Sequence, residues 1–156
     1  MSKILWTDGS AEPNPGPGGF AVLENGQPVR LGSESNSTNI RMEGAALIAA
    51  MEYAGSDGCE IYTDSQFWVN VLTVWAPAWE ARSWTKKTGP IKNLDMVQTA
   101  YRLYNQFPVK LHWTRGHVGT EQNELADFYA NEARQGKTCP ESSQILTRLL
   151  KWKNSS

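Results

Sequence analysis

The sequence predicts an α/β domain in which a mixed sheet carries helices on its faces, and three observations point to it. Three strand-like runs come first, the second and third joined through Asn25-Gly26, a dipeptide that supplies the positive φ angles of a tight hairpin. A long Ala-rich helical stretch then separates the third run from a fourth, a connection of the length that parallel crossovers need. Helical spacing, an alternating run and a last helical stretch follow, so the order reads β-β-β-α-β-α-α-α-β-α.

A chain of 156 residues fits one such domain. No apolar run approaches the roughly 18 residues of a membrane span, and the N-terminus enters a strand pattern without the basic and apolar regions of a signal sequence, so a cytoplasmic monomer is expected. Cys59 and Cys139 show no CxxC spacing, which suggests neither a disulfide framework nor a zinc site. A net charge of −1 and a pI near 6.1 exclude a protein that holds nucleic acid by bulk positive charge. Any such binding must use a local patch.

Taken in order, Ile4-Leu5-Trp6-Thr7 suits a packed, pleated surface and stops at Asp8-Gly9-Ser10, which predicts a strand presenting the Asp8 carboxylate at its C-terminal end. Residues 11–19 are so rich in Pro and Gly that a stiff loop is expected. Phe20 to Leu23 and Val29 to Ser33 form the hairpin. Ile40 to Ala54 is helical, capped by Asn39 or Thr38, and apolar around nearly its whole circumference, so a sheet and a second element are expected to cover it. Glu43, in the first turn of that helix, is out of place: either the dipole and neighbouring amides satisfy it, or chemistry holds it there. Cys59 to Thr63 is the fourth strand, closing at Asp64-Ser65 as the first closes at Asp8-Gly9, and a helix starts at Gln66 and runs to Leu72.

Between 75 and 92 the composition changes. Trp75, Trp79 and Trp84 lie among Arg82, Lys86, Lys87 and Lys92, with Glu80 as the one acid. Aromatic faces beside cations suit sugars, bases and phosphates; a small subdomain with its own tryptophan core accounts for the same residues equally well. Leu94 to Tyr104 is helical, and Val109, Leu111 and Trp113 alternate with Lys110, His112 and Thr114 in a fifth strand with one exposed face. A Gly-containing loop with His117 precedes a last helix over residues 121–134, which carries Asp127. The domain is expected to span residues 1–136. The tail, residues 137–156, includes an amphipathic turn or two from Ile145 to Trp152 that docks on its own domain or meets a partner.

Two acids at the ends of parallel neighbouring strands emerge at one sheet edge. Crowded carboxylates need a counter-charge, and hard divalent cations with oxygen ligands supply it, Mg2+ or Mn2+ ahead of zinc. Two such ions about 4 Å apart suit in-line attack of water on a phosphodiester. Taken singly, Asp8 and Asp64 read as turn caps, Asp127 as a surface charge and His117 as a solvated histidine.

The ordered set outweighs those readings. Thr7-Asp8-Gly9-Ser10 with residues 14–19 (NPGPGG), Thr38-Asn39-Ile40-Arg41-Met42-Glu43, Thr63-Asp64-Ser65-Gln66, and Gly116-His117-Val118-Gly119 with Asn123-Glu124-Leu125-Ala126-Asp127 resemble the bacterial type 1 ribonuclease H family, in the same order, up to about Arg134. The resemblance implies a five-stranded ribonuclease H-like fold and metal-dependent cleavage of the RNA strand of RNA–DNA hybrids, leaving 5′-phosphate and 3′-hydroxyl ends. It implies that Asp8, Glu43, Asp64 and Asp127 hold two Mg2+ ions, for which Mn2+ substitutes, and that His117 assists proton movement or product release. Asn14, Asn39 and Gln66 would contact the hybrid near the scissile strand, Thr38 a DNA phosphate, and Trp75, Trp79 and Trp84, with Lys86 and Lys87, the DNA-strand groove. Gly9 and Ser10 would let the RNA strand approach the backbone.

Three departures stand out. Pro13 replaces a usual Gly, Ile40 a usual polar residue, and Glu80-Ala81 lie where the family's protrusion is basic, which implies a weaker grip on substrate. Two other functions fit the same fold. A non-catalytic hybrid-binding module would favour cations where this chain has four acids, and another metal-dependent phosphodiesterase would not need the Asn and Gln set suited to 2′-hydroxyls.

Overall fold

The computed structural model of the chain describes residues 2–115 and 121–136. His117 and the tail from residue 137 lie outside the described residues. Strands β1 (Lys3–Ala11), β2 (Gly16–Glu24), β3 (Gln27–Ser37), β4 (Cys59–Thr63) and β5 (Val109–Trp113) form one sheet in the order β3-β2-β1-β4-β5. The hairpin signal and the crossover signal both hold. β1, β2 and β3 pair antiparallel, Asn25 and Gly26 turn with φ of 54° and 76°, and β4 pairs parallel with β1 and with β5.

The first strand does not end at Asp8. β1 continues against β2 as far as Ala11↔Gly18, whereas its parallel pairing with β4 stops at Trp6↔Tyr62. The expected loop over residues 11–19 shrinks to residues 12–15, because glycines without side chains accept a packed strand and Pro17 sits at a register shift between Gly16 and Gly18. A bulge there does not need the N–H that proline lacks.

Helix α1 (Asn39–Ala54) is capped by Thr38, whose hydroxyl accepts a hydrogen bond from the Arg41 N–H at 3.1 Å. Because the helix begins at Asn39, Glu43 is its fifth residue and falls in the second turn, not the first. The sheet lies on one side of α1 and a later helix, α4 (Leu94–Gln106), on the other, as its all-round apolar surface requires. Helix α2 (Gln66–Asn70) does not stop near Leu72. It runs through a π-helical turn (Val71–Trp75) into α3 (Ala76–Ala81), a continuous path despite Pro77. The Ala76 N–H reaches back to the Val71 carbonyl, and the wider turn makes room before the proline ring.

The main core fills the space between the sheet and α1, α2 and α4 (Leu94–Gln106), with Leu5, Leu47, Met51, Ile61 and Trp68 fully buried. On the opposite sheet face, α5 (Glu121–Gln135) covers Ala21 and Leu31 through Ala130 and Tyr129. Trp113 departs from its predicted stripe: Val109 and Leu111 pack against the core, but Trp113 is 45% exposed at the end of the edge strand. Among the described residues no helix is long and apolar enough to cross a membrane.

Candidate active site

The register of the sheet decides where the acids meet. Trp6 and Tyr62 are the last partners of the β1–β4 ladder, and their rings stack with centroids 4.5 Å apart. Asp8 and Asp64 each lie two residues further on, so both carboxylates leave the same face where the two strands part. Glu43 arrives from α1. Its position depends on two glycines that sequence inspection assigned otherwise or passed over. A Cβ on Gly9 would overlap the Met42 carbonyl and the Glu43 nitrogen, so the bare backbone of β1 lets α1 approach at the residue that carries the acid. Gly9 therefore serves helix packing. On the other side of Glu43, a Cβ on Gly44 would overlap the buried Trp68 ring, whose indole N–H donates to the Ile40 carbonyl at 2.7 Å.

Carboxylate oxygens of Asp8, Glu43 and Asp64 lie within 4.8 Å of one another. Asp127, on α5, stands outside that trio but makes a side-chain hydrogen bond with Asp8. Asp8 is 5% exposed. Burial above all, then the charges of Asp64 and Asp127 and the bond with Asp127, push its carboxyl up to about 9, against the Gly9 N–H, which donates to Asp8 Oδ1 at 2.9 Å. Burial and the Asp64 charge raise Glu43 to about 7, while a hydrogen bond from Ser65 pulls the other way. A cluster that holds its protons this far above the usual carboxylate range is short of positive charge. With oxygen donors alone, the site fits hard divalent cations.

The neighbouring polar residues form a linked set. Asn14 Oδ1 accepts from the Asn39 N–H at 3.1 Å, and Asn39 Oδ1 accepts from the Ala11 N–H at 2.7 Å. The loop after β1 is thereby tied to the start of α1. Gln66 is exposed at the first position of α2, and the Thr38 hydroxyl is engaged in capping. On the far side of the loop, Arg134 reaches Glu12 at 3.6 Å and Asn131 at 3.2 Å.

The tryptophans divide. Trp79 and Trp84 are half-buried against the core, Trp84 edge-on to Tyr101 at 5.9 Å, while Trp75 is 39% exposed, one turn of helix from Trp79 with ring centroids 6.2 Å apart. Lys86 is half-buried and Lys87 exposed on the turns that follow. Trp79 and Trp84 thus pack on the main core and not in a separate minor core, and Trp75 is the one whose ring is left largely open.

Sequence reasoning missed Ser65 and the end of β5. Ser65 caps α2 by accepting from the Trp68 N–H at 3.3 Å and also donates to Glu43. Its capping role was legible as a Ser directly before a helix; its bond to Glu43 was not.

Comparison with known proteins agrees with this geometry. The RNase H family profile matches residues 1–135. The ribonuclease H of Methylorubrum extorquens is 40% identical over 153 residues, an alignment covering 93% of this chain and 67% of that protein. The ribonuclease H of Polynucleobacter asymbioticus is 40% identical over 134 residues, covering 83% of this chain and 87% of the relative. Among solved structures, LC9-RNase H1, a type 1 RNase H with the type 2 active-site motif, superposes with a TM-score of 0.70 at 28% identity, covering 88% of this chain and 75% of its own.

Proposed function

Since this chain belongs to the RNase H family, we propose that it is a metal-dependent endoribonuclease that hydrolyses the RNA strand of RNA–DNA hybrids. The observation that carries this reading is the convergence of Asp8, Glu43 and Asp64 within 4.8 Å, with Asp127 against Asp8. These four carboxylates would hold two divalent cations, Mg2+ or Mn2+, whose chemistry is to activate an attacking water and to stabilise the leaving oxygen. Water attacks the phosphorus, the bond to the 3′ oxygen breaks, and the products carry 5′-phosphate and 3′-hydroxyl ends.

The chain's own part is placement. Asp8 and Asp64 stand at the point where two strands diverge, so a phosphodiester can approach without crossing a closed ladder. Giving up the Asp8 and Glu43 protons readies the site for cations. His117 would accept or release a proton beside the leaving group. The crosslinked pair Asn14 and Asn39, together with Gln66, would meet the hybrid around the scissile bond, and Thr38 a DNA phosphate. Trp75, exposed on its helix, would stack in the DNA-strand groove, with Trp79 and Trp84 behind it and Lys86 and Lys87 facing phosphates. A cytoplasmic monomer with the tail as an appendage to a catalytic domain of residues 1–136 completes the reading.

The test is incubation of labelled RNA–DNA hybrid, RNA duplex and DNA duplex with the protein, in Mg2+ and in chelator. Cleavage of the hybrid's RNA strand alone, abolished by chelator, is the expected result. Tight hybrid binding without any cut would refute it, and cutting of the DNA duplex would replace it with a broader phosphodiesterase.

A further inference from the structure

The strongest unassigned feature near the site is Trp113. It is the last residue of β5 and 45% exposed, so burial does not account for a tryptophan there. Its ring is nevertheless fixed: the indole N–H donates to the Asp64 carbonyl at 3.2 Å. The neighbouring Thr114 N–H donates to the Thr63 carbonyl at 2.8 Å, so the end of β5 grips two successive carbonyls of the segment that leaves β4. The first is an ordinary extension of the parallel ladder, in which Thr63 partners Trp113. The second lies beyond the last ladder partner, where the chain turns into α2, and a side chain supplies the donor.

That single peptide carries two links to the acids. Asp64 lies on its carbonyl side. Ser65 lies on its nitrogen side, and the Ser65 hydroxyl both caps α2 and bonds to Glu43. A rotation of the Asp64–Ser65 peptide would move one ligand directly and loosen the other through its hydrogen bond.

We propose that Trp113 is a positioning residue for the candidate metal site: its indole N–H clamps the Asp64 carbonyl and thereby sets the Asp64 carboxylate and, through Ser65, Glu43. The inference rests on the reading of these acids as metal ligands. It requires the N–H rather than the ring, which separates it from a stacking role toward substrate. Outer hydrogen bonds of this kind typically govern metal affinity by about 10–100-fold.

The experiment is a Mn2+ titration of the full chain by calorimetry, without any nucleic acid, on wild type, Trp113→Phe and Trp113→His. Phe keeps an aromatic ring and loses the donor, whereas His retains a ring N–H. Trp113→Phe should bind Mn2+ about 10-fold more weakly with an unchanged melting temperature, and Trp113→His should recover part of the loss. In hybrid cleavage, the Phe variant should need more metal for half-maximal rate while its KM for hybrid stays at the wild-type value. Wild-type Mn2+ affinity in Trp113→Phe would overturn the proposal, as would a raised KM for hybrid with metal binding intact, which would make Trp113 a substrate platform. A wild-type protein that binds Mn2+ yet leaves hybrid uncut would refute the nuclease reading alone, and the Trp113 comparison would still stand.

Discussion

The carboxylate cluster and the Trp-rich stretch are built in opposite ways. The acids sit on a sheet strand, a strand end and two helices, and their spacing is set by backbone contacts, above all the close approach of α1 to Gly9. The tryptophans lie on a helix and the turns after it, and differ mainly in how much of each ring remains exposed. Charge neutralisation at a buried site demands a fixed geometry. Contact with a long polyanion tolerates adjustable side chains on a surface. Changes in the first region should therefore act on turnover and stability, and changes in the second on binding.

The sharpest break comes from Asp8→Asn. If Asp8 is a shared ligand as proposed, its loss should lower cleavage by roughly 10³-fold or more, several kcal/mol of lost charge stabilisation, and a near-wild-type rate would remove Asp8 from the proposed metal site. The same variant tests the electrostatics. The Asp8 carboxyl is raised from 3.8 to about 9, so between those values the folded chain keeps a proton that the unfolded chain has lost. Stability from this group is thus full below pH 4, falls as pH rises, and levels off only above pH 9. In chelator, the wild type should lose stability relative to Asp8→Asn as pH climbs through that window. Parallel melting curves would contradict the burial of this charge.

Next in size is Gly9→Ala. A single methyl there meets the α1 backbone and should cost about 1–3 kcal/mol by denaturant melts, with a fall in kcat as Glu43 is displaced. Unchanged stability would mean that the helix is not seated on β1 as described. A comparison of Trp75→Ala with Trp79→Ala then divides the tryptophans. The exposed Trp75 should raise the KM for hybrid by about 5-fold or more, given stacking of roughly 1–3 kcal/mol per base, with stability unchanged. Trp79, packed on the core, should lower stability as well. Identical stability losses for the two would erase the distinction. The smallest effect is expected from Glu80→Lys, an exposed position on α3. Binding should tighten at low salt, with a slope against salt steeper by about 0.9 for each new phosphate contact; an unchanged slope would place that helix away from phosphates.

Much of this was legible in the chain itself. Asn25-Gly26 specified the hairpin, the alanine-rich run its helix, and the apolar runs ending at Asp8 and Asp64 marked the two positions that converge. Those features are local, decided by conformational preference and hydrophobic period over a few residues. The reading failed where a local rule met a tertiary partner. Residues 16–19 look like loop and are strand, because β1 and β3 pair on either side of them. Pro77 looks like a stop and is passed, because the helix can widen ahead of it.

What the sequence determined alone was the inventory: which acids, in which order, on which kinds of element, and from the ordered motifs the family. Only the tertiary structure decided that the β1–β4 ladder ends two residues before Asp8 and Asp64, that Gly9 serves a helix, and that an exposed tryptophan holds the Asp64 carbonyl. The physical reason is range. Turn chemistry and periodicity act between residues close in the chain, whereas ladder register, helix-to-sheet approach and the burial that raises Asp8 to about 9 are sums over contacts between distant segments.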